Sequence, residues 1–209
     1  MSVNELHAFL EEKLIYYILL VDLTRTKEEL KGCGLFWLVN EYCNTYAIPQ
    51  ESFHNCLAAV VKKYKEEHPD DEFSDEEIYA IENAFDPTNF FEDAELYYEN
   101  QAEVHMEALK KVVSRISECE IDVIEEQKRL DTARTSLEKS EIKSDIAQAN
   151  IAYERAKKHK ENLEKMQLVN SENKAKLTEK KTLYSDIQKA ELTENDDFKL
   201  LRTNQSKPE

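Results

Sequence analysis

Apolar side chains recur every seven positions along the second half of the chain. One stripe runs Leu109, Ile116, Val123, Leu130 and Leu137, with Val112, Cys119 and Ala133 three residues on. A second runs Ile142, Ala149, Ala156, Leu163, Leu177 and Tyr184, flanked by Ile146 and Tyr153. No proline or glycine lies between Pro87 and Pro208. This is the pattern of a long helix or helical hairpin that offers a narrow seam to a partner helix. The two stripes are out of phase, because extending the first by sevens reaches Ser144 rather than Ile142. The register therefore breaks near 135–141, where Thr135, Ser136 and Ser140 are weak helix formers. Such a slip is either a local change of supercoil or the tip of a hairpin. Nearly equal arms favour a hairpin, but no Gly, Pro or Asn-rich turn marks a tip, which puts the continuous helix slightly ahead. Asn170-Ser171-Glu172-Asn173 is a second candidate break, with Asn170 on a seam position.

The first hundred residues are patterned differently. Val3, Leu6, Leu10, Leu14, Tyr17, Ile18 and Val21 follow helical spacing behind a Ser2/Glu5 capping box. From Leu14 to Val21 the segment is apolar on every side, so it must be buried in a core or against a second chain; a buried strand is the alternative there. Thr26 and Glu29 form another cap signal before the tight turn at Gly32-Cys33-Gly34. Leu35, Leu38, Val39, Tyr42, Cys43 and Tyr46 then share one helical face, and Ala47-Ile48-Pro49 ends it. A following helix carries Phe53, Cys56, Leu57, Val60, Val61 and Tyr64. A short one begins at Ser74/Glu77 with Ile78, Ile81 and Phe85. Asn89/Glu92 starts the long element, whose Phe90, Phe91, Leu96 and Tyr97 are expected to pack back on the head.

The fold class is thus all-α: a compact N-terminal helical head over 1–100, then a coiled-coil helix or hairpin over 101–190. A flexible tail is expected over 191–209. Its Asp197-Phe198-Lys199-Leu200-Leu201 patch is a weak docking signal.

Charge sharpens this outline. The net charge is −16, and residues 66–109 hold sixteen acids with no Lys or Arg, while the rest balances at 28 acids against 28 bases. A block of one sign repels phosphate and anionic lipid and attracts basic surfaces over about 8 Å at physiological salt. A solvated acidic face is the plain interpretation; docking of a basic protein surface is the functional one. Asp70, Asp71, Glu72, Asp75, Glu76, Glu77, Glu92 and Asp93 are the candidate docking residues. The longest apolar run, Leu14–Val21, falls short of the roughly 20 residues that cross a bilayer. No membrane association is expected. The four cysteines are irregularly spaced and no signal peptide is evident, so reduced thiols in an intracellular, cytoplasmic or nuclear, protein are expected.

No catalytic chemistry stands out. Two glycines cannot build a phosphate loop, and no Ser, Cys or His sits in a nucleophile motif. Cys33, Cys43, His54, Cys56 and Cys119 lack zinc-finger spacing, and Asp70–Glu77 lacks the glycine and alternation of a calcium loop. No cofactor, no metal and no enzymatic activity are expected. Residues 35–65 could form a helix-turn-helix-like core, but the lysines of its second helix come only at the far end, and direct nucleic-acid binding is not expected.

The resulting expectation is a non-catalytic structural or adaptor subunit of a multi-protein complex. Its seam of Leu109, Val112, Ile116, Val123, Leu130, Leu137, Ile142, Ile146, Ala149, Tyr153, Leu163 and Leu177 would bind a partner helix, in a homo- or hetero-oligomer. Accessory subunits of SMC-type and other chromosome-associated assemblies share this organisation, an analogy of architecture alone. The alternatives are a dimeric helix-turn-helix or winged-helix regulator and an acidic inhibitor that mimics nucleic acid.

Overall fold

The computed structural model describes residues 3–53 and 75–205. No strand occurs among them. In chain order the elements are α1 (Val3–Val21), α2 (Lys27–Leu30), α3 (Gly34–Tyr46), α4 (Asp75–Ala84), α5 (Thr88–Thr132) and α6 (Ser136–Gln205). The fold is all-α, and α5 and α6 pack against each other as a helical hairpin. Two compact units emerge, one of Met1–Tyr97 with Asn173–Glu209 and one of Tyr98–Glu172.

Local chemistry sets the element ends. The capping box at α2 forms: Thr26 Oγ1 accepts from the Glu29 amide at 3.3 Å, and Glu29 Oε2 accepts from the Thr26 amide at 2.9 Å. Gly32 (φ 84°) and Gly34 (φ 66°) supply the left-handed backbone of the turn into α3. α3 ends on Ala47 in the same left-handed region (φ 54°). Its amide donates to Asn44 O at 3.3 Å and that of Ile48 to Cys43 O at 2.9 Å, which satisfies the last turn before Pro49. α1 is a helix through Val21, so the strand alternative there does not hold. The second helix of the helix-turn-helix reading has helical backbone at 50–53, and its remainder lies outside the described residues.

The core of the first unit is aromatic. α1 contributes Leu10, Leu14, Tyr17, Ile18 and Val21, and α3 contributes Leu38, Val39, Tyr42, Cys43 and Tyr46, all buried. Around them lie Phe53, Phe85, Phe90 and Phe91. The Tyr42 ring sits 5.1 Å from Tyr46 and 5.3 Å from Phe53, and Phe53 stacks on Phe90 at 5.3 Å. Edge and tilted contacts at this spacing add about 0.5–1.5 kcal/mol each beyond the burial itself. Leu177 and Tyr184 of α6 are buried in the same unit, and the Tyr184 ring meets Tyr46 at 5.9 Å and Phe91 at 6.2 Å. Of the residues expected to pack back from the start of α5, Phe90 and Phe91 do so, whereas Leu96 is exposed. Ala94 takes the inward position one turn after Phe90.

Three of the buried phenols donate to a named acceptor. Tyr42 donates to Phe85 O at 2.9 Å, Tyr46 to Tyr17 O at 2.7 Å and Tyr184 to Asp86 Oδ2 at 3.1 Å. Burial pushes the Tyr42 and Tyr46 hydroxyls well above the ordinary phenol range, and burial followed by the Asp86 carboxylate does so for Tyr184. Burial also pushes the Cys43 thiol up to about 12. The start of α5 depends on Asp86 rather than on Asn89, the expected cap. Asp86 Oδ1 accepts from the Thr88 amide at 2.8 Å and its hydroxyl at 2.5 Å, with Pro87 just ahead of the helix. Asn89 instead donates to Asn83 O at 2.6 Å.

Two predictions follow from this core. Ala47→Gly should raise stability by roughly 0.5–1 kcal/mol, because a left-handed alanine is strained and a glycine is not. A denaturation midpoint that falls would refute that account. The second concerns alkali. Unfolded tyrosines ionise near 10 and an unfolded thiol near 8.5, while the folded head retains these protons to higher pH. The unfolded state then binds fewer protons, so stability falls as pH rises through about 8.5–10. Melting temperatures should drop steadily from about pH 8 to 11, and less steeply in Tyr42→Phe. That variant should also cost about 1–3 kcal/mol at neutral pH through the orphaned Phe85 carbonyl.

Candidate interaction surfaces

Within the unit Tyr98–Glu172 the two apolar stripes meet each other. On α5, Cys119 is buried and Leu109, Val112, Ile116, Val123 and Leu130 are half-buried; Ala133, just past its end, is buried too. On α6, Ile142 and Leu163 are buried and Ile146, Ala149 and Tyr153 half-buried. Positions alternate by three and four residues, the spacing that keeps a seam against one neighbouring helix. Two helices alone enclose few side chains fully, which explains the many half-buried positions. The seam read as an offer to a partner is filled here by the chain's own second half.

Two hydrogen bonds fix the antiparallel register. The Tyr153 hydroxyl donates to Glu120 Oε1 at 3.2 Å, and the Asn170 carboxamide donates to Tyr98 O at 2.9 Å. Both pairs lie almost symmetrically about Thr135, where the chain reverses through Ala133, Arg134 and Thr135. The preference for one continuous helix is therefore overturned. The overlooked signal was a Thr-x-x-Glu cap: Thr135 Oγ1 accepts from the Glu138 amide at 3.2 Å, and Glu138 Oε2 reaches back to accept from the Arg134 amide, one residue before the cap, at 3.2 Å. A Thr-x-x-Glu start of α6 needs no glycine. Leu137, placed on the seam by its heptad spacing, sits in the first turn of α6 and is 70% exposed. Asn170 does not break the helix; α6 runs through it and continues as far as Gln205, past the expected start of a flexible tail.

One buried seam position on α5 is polar. His105 is buried, and its Nδ1 has no hydrogen-bond partner among the described residues. An orphaned polar atom of this kind costs about 1–3 kcal/mol. It lies on the helical continuation of the Leu109 and Val112 stripe, a position whose spacing the sequence shows and whose role it does not.

The acidic candidates are only partly within view. Asp70, Asp71 and Glu72 lie outside the described residues. Asp75 and Glu77 belong to the backbone of α4, and Glu76 is exposed. Glu92 and Asp93 are exposed on the first turns of α5, between the buried Phe91 and Ala94. One turn on, Glu95 pairs with Lys181 of α6 at 2.9 Å. Part of the acidic block is thus answered within the chain.

Among the described residues no cluster of three or more His, Cys, Asp or Glu side chains is placed to hold a metal ion. No described helix is long and apolar enough to cross a membrane. Cys33 donates to Glu29 O at 3.1 Å, while Cys43 is buried in the head and Cys119 in the hairpin; Cys56 lies outside the described residues. No protein-family model, curated protein or solved structure matches the chain. The surfaces themselves carry the functional argument.

Several large apolar side chains are exposed on the outward side of α5. Met106, Val113 and Ile124 of α5 are 48%, 47% and 54% exposed. They are separated by seven and eleven residues, close to whole numbers of helical turns, so they share one side of the helix. Ile121 lies beside them and is exposed as well.

Seam substitutions test the hairpin directly. His105→Leu should stabilise it by about 1 kcal/mol or more by removing an orphaned polar atom, and Leu163→Asp should destabilise it by about 3 kcal/mol or more. Hydrogen exchange resolved along the chain reads both. Unchanged protection of 105–163 in Leu163→Asp would mean that the stripes do not hold the arms together.

Proposed function

We propose that this chain is a non-catalytic helical adaptor, a subunit that binds protein partners while its own fold is complete. The observation that carries the reading is the outward row Met106, Val113 and Ile124, beside a seam already closed within the chain. Exposed apolar side chains that join into one patch mark interaction sites. A third helix laid against this row would bury it together with the exposed flanks of the seam. Exposed Glu76, Glu92 and Asp93 and the net charge of −16 favour a partner with a basic surface. Such a partner is drawn in by charge and retained by apolar contact.

Chemical cross-linking in the source cells, read by mass spectrometry, tests this. Cross-links to partner proteins should concentrate at Lys110 and Lys111, which flank Val113. They should disappear in Val113→Glu/Ile124→Glu while circular dichroism stays helical. Retention of the same cross-links in that variant would sink the proposal. Partner binding should also weaken as salt rises, since charges in water are screened beyond about 10 Å at 0.1 M.

A further inference from the structure

The hairpin carries charge of opposite sign on its two backs. On α6, Arg155, Lys158, Asn162 and Lys165 follow one another at steps of three and four residues, the spacing of a single helical face, and all four are exposed. Lys158 and Lys165 lie on the side of the helix away from the buried Leu163. None of Arg155, Lys158 and Lys165 forms an ion pair among the described residues. Their neighbours are engaged: Lys157 lies over the Tyr153 ring at 5.3 Å, and Lys160 pairs with Glu164 at 3.5 Å. The back of α5 is the converse. Glu99, Glu103 and Glu107 recur every four residues, all exposed, on the side away from the buried His105. No Lys or Arg precedes Lys110 on this helix, and Glu107 reaches Lys111 only at 4.0 Å.

The two backs match in length and spacing. Lys158 to Lys165 spans about 10 Å along α6, and Glu99 to Glu107 about 12 Å along α5. Laid antiparallel, Lys165 meets Glu99, Asn162 meets Glu103 and Lys158 meets Glu107. Because the backs face away from each other across the seam, one chain cannot pair them itself. A second copy can, since its α5 simply continues the antiparallel order of α5 and α6. Each copy that docks in this way leaves a back unused at either end, the heterologous arrangement that grows rather than closes.

Charge decides against a nucleic acid as the occupant. Glu154 and Glu161 are exposed one step round α6 from the basic stripe, and they would repel a phosphate backbone laid along it. They do not oppose a helix whose acids are spaced to meet Lys158 and Lys165 one by one. Most of the net charge of −16 lies elsewhere, because residues 98–172 hold 16 acids against 13 bases. At 0.1 M salt the Debye length is about 10 Å, so contacts between the backs act while repulsion between more distant parts is screened. Exposed ion pairs are individually weak, so the association is weak and reversible.

We propose that the basic back of α6 docks on the acidic back of α5 of a second copy, so that hairpins associate side by side in an open series. Neither Val113 nor Ile124 takes part, so this self-association goes beyond the adaptor reading and each can fail alone.

Sedimentation equilibrium of the full chain supplies the test. At about 0.1 M salt the mean mass should climb with concentration up to about 1 mM, with species larger than two copies present. At about 1 M salt, where the Debye length is about 3 Å, it should return to one chain. Lys158→Glu/Lys165→Glu turns the α6 back acidic, and Glu103→Lys/Glu107→Lys turns the α5 back basic. Either variant alone should associate about tenfold more weakly while circular dichroism stays helical. Mixed in equal amounts they should associate again, since each offers the back that the other needs. A mass of one chain at every concentration in 0.1 M salt, unchanged association in either variant, a mass that stops at two copies, or no association in the mixture overturns the proposal. So does a labelled DNA duplex of about 20 base pairs that binds the wild type and is lost in Lys158→Glu/Lys165→Glu, which would make phosphates the occupant.

Discussion

Three hydrogen bonds converge on the carboxylate of Asp86, and the rest of the head is arranged to allow them. One oxygen caps the start of α5 through Thr88, and the other accepts from Tyr184 near the end of α6. A capping carboxylate is worth about 1 kcal/mol, and a hydrogen bond to a charged group about 1.5–3 kcal/mol. Neither alone is large. Their effect lies in placement, because the bond to Tyr184 spans ninety-eight residues and sets that ring among Tyr17, Tyr46 and Phe91. The sequence between must therefore leave and come back, and Thr135 lies midway between the two partners.

A chain that must reverse at its midpoint meets its own first stripe with its second. The two stripes then satisfy each other, and the phase slip between them is the reversal itself. A two-helix seam nevertheless leaves its side chains half in water. The buried His105 weakens it further, as polar seam residues do when they fix alignment at the expense of stability. Such a hairpin is folded and is not saturated with apolar contact. That condition suits an element which gains stability when a partner covers its outer side.

Much of the head can be read from residue pattern alone, because its signals are local. Thr26 and Glu29 bond within four residues, Gly32 and Gly34 supply their own backbone geometry, and the α3 face from Leu38 to Tyr46 follows one helical period. What escapes the sequence depends on distant partners. Tyr184 and Leu177 continue the heptad period of the coil without a change of phase, so nothing local distinguishes a seam residue from a head-core residue. Asp86 looks like one acid among sixteen until its two partners are placed. The hairpin tip has none of the usual turn residues, since a Thr-x-x-Glu cap lets three residues reverse the chain. Of the candidate surfaces, the exposure of Glu76, Glu92 and Asp93 follows from residue type.

The acidic block illustrates how the two candidate surfaces differ in kind. Glu95 is matched by Lys181 at 2.9 Å, a partly exposed pair worth at most about 1 kcal/mol. Carboxylates answered in this way add little to the field that a partner meets. Those that remain at the surface, such as Glu92 and Asp93, act over about a Debye length and set the rate of encounter rather than its lifetime. Lifetime requires desolvated apolar contact, and exposed apolar side chains lie in separate places: Met106, Val113 and Ile124 on α5 and Tyr16 on α1. A basic partner that reached only the acids would exchange quickly and weaken sharply with salt. One that also covered either apolar face would be held longer, with salt acting mainly on its arrival. The salt dependence of association, set against that of dissociation, therefore separates the contribution of charge from that of the helix faces.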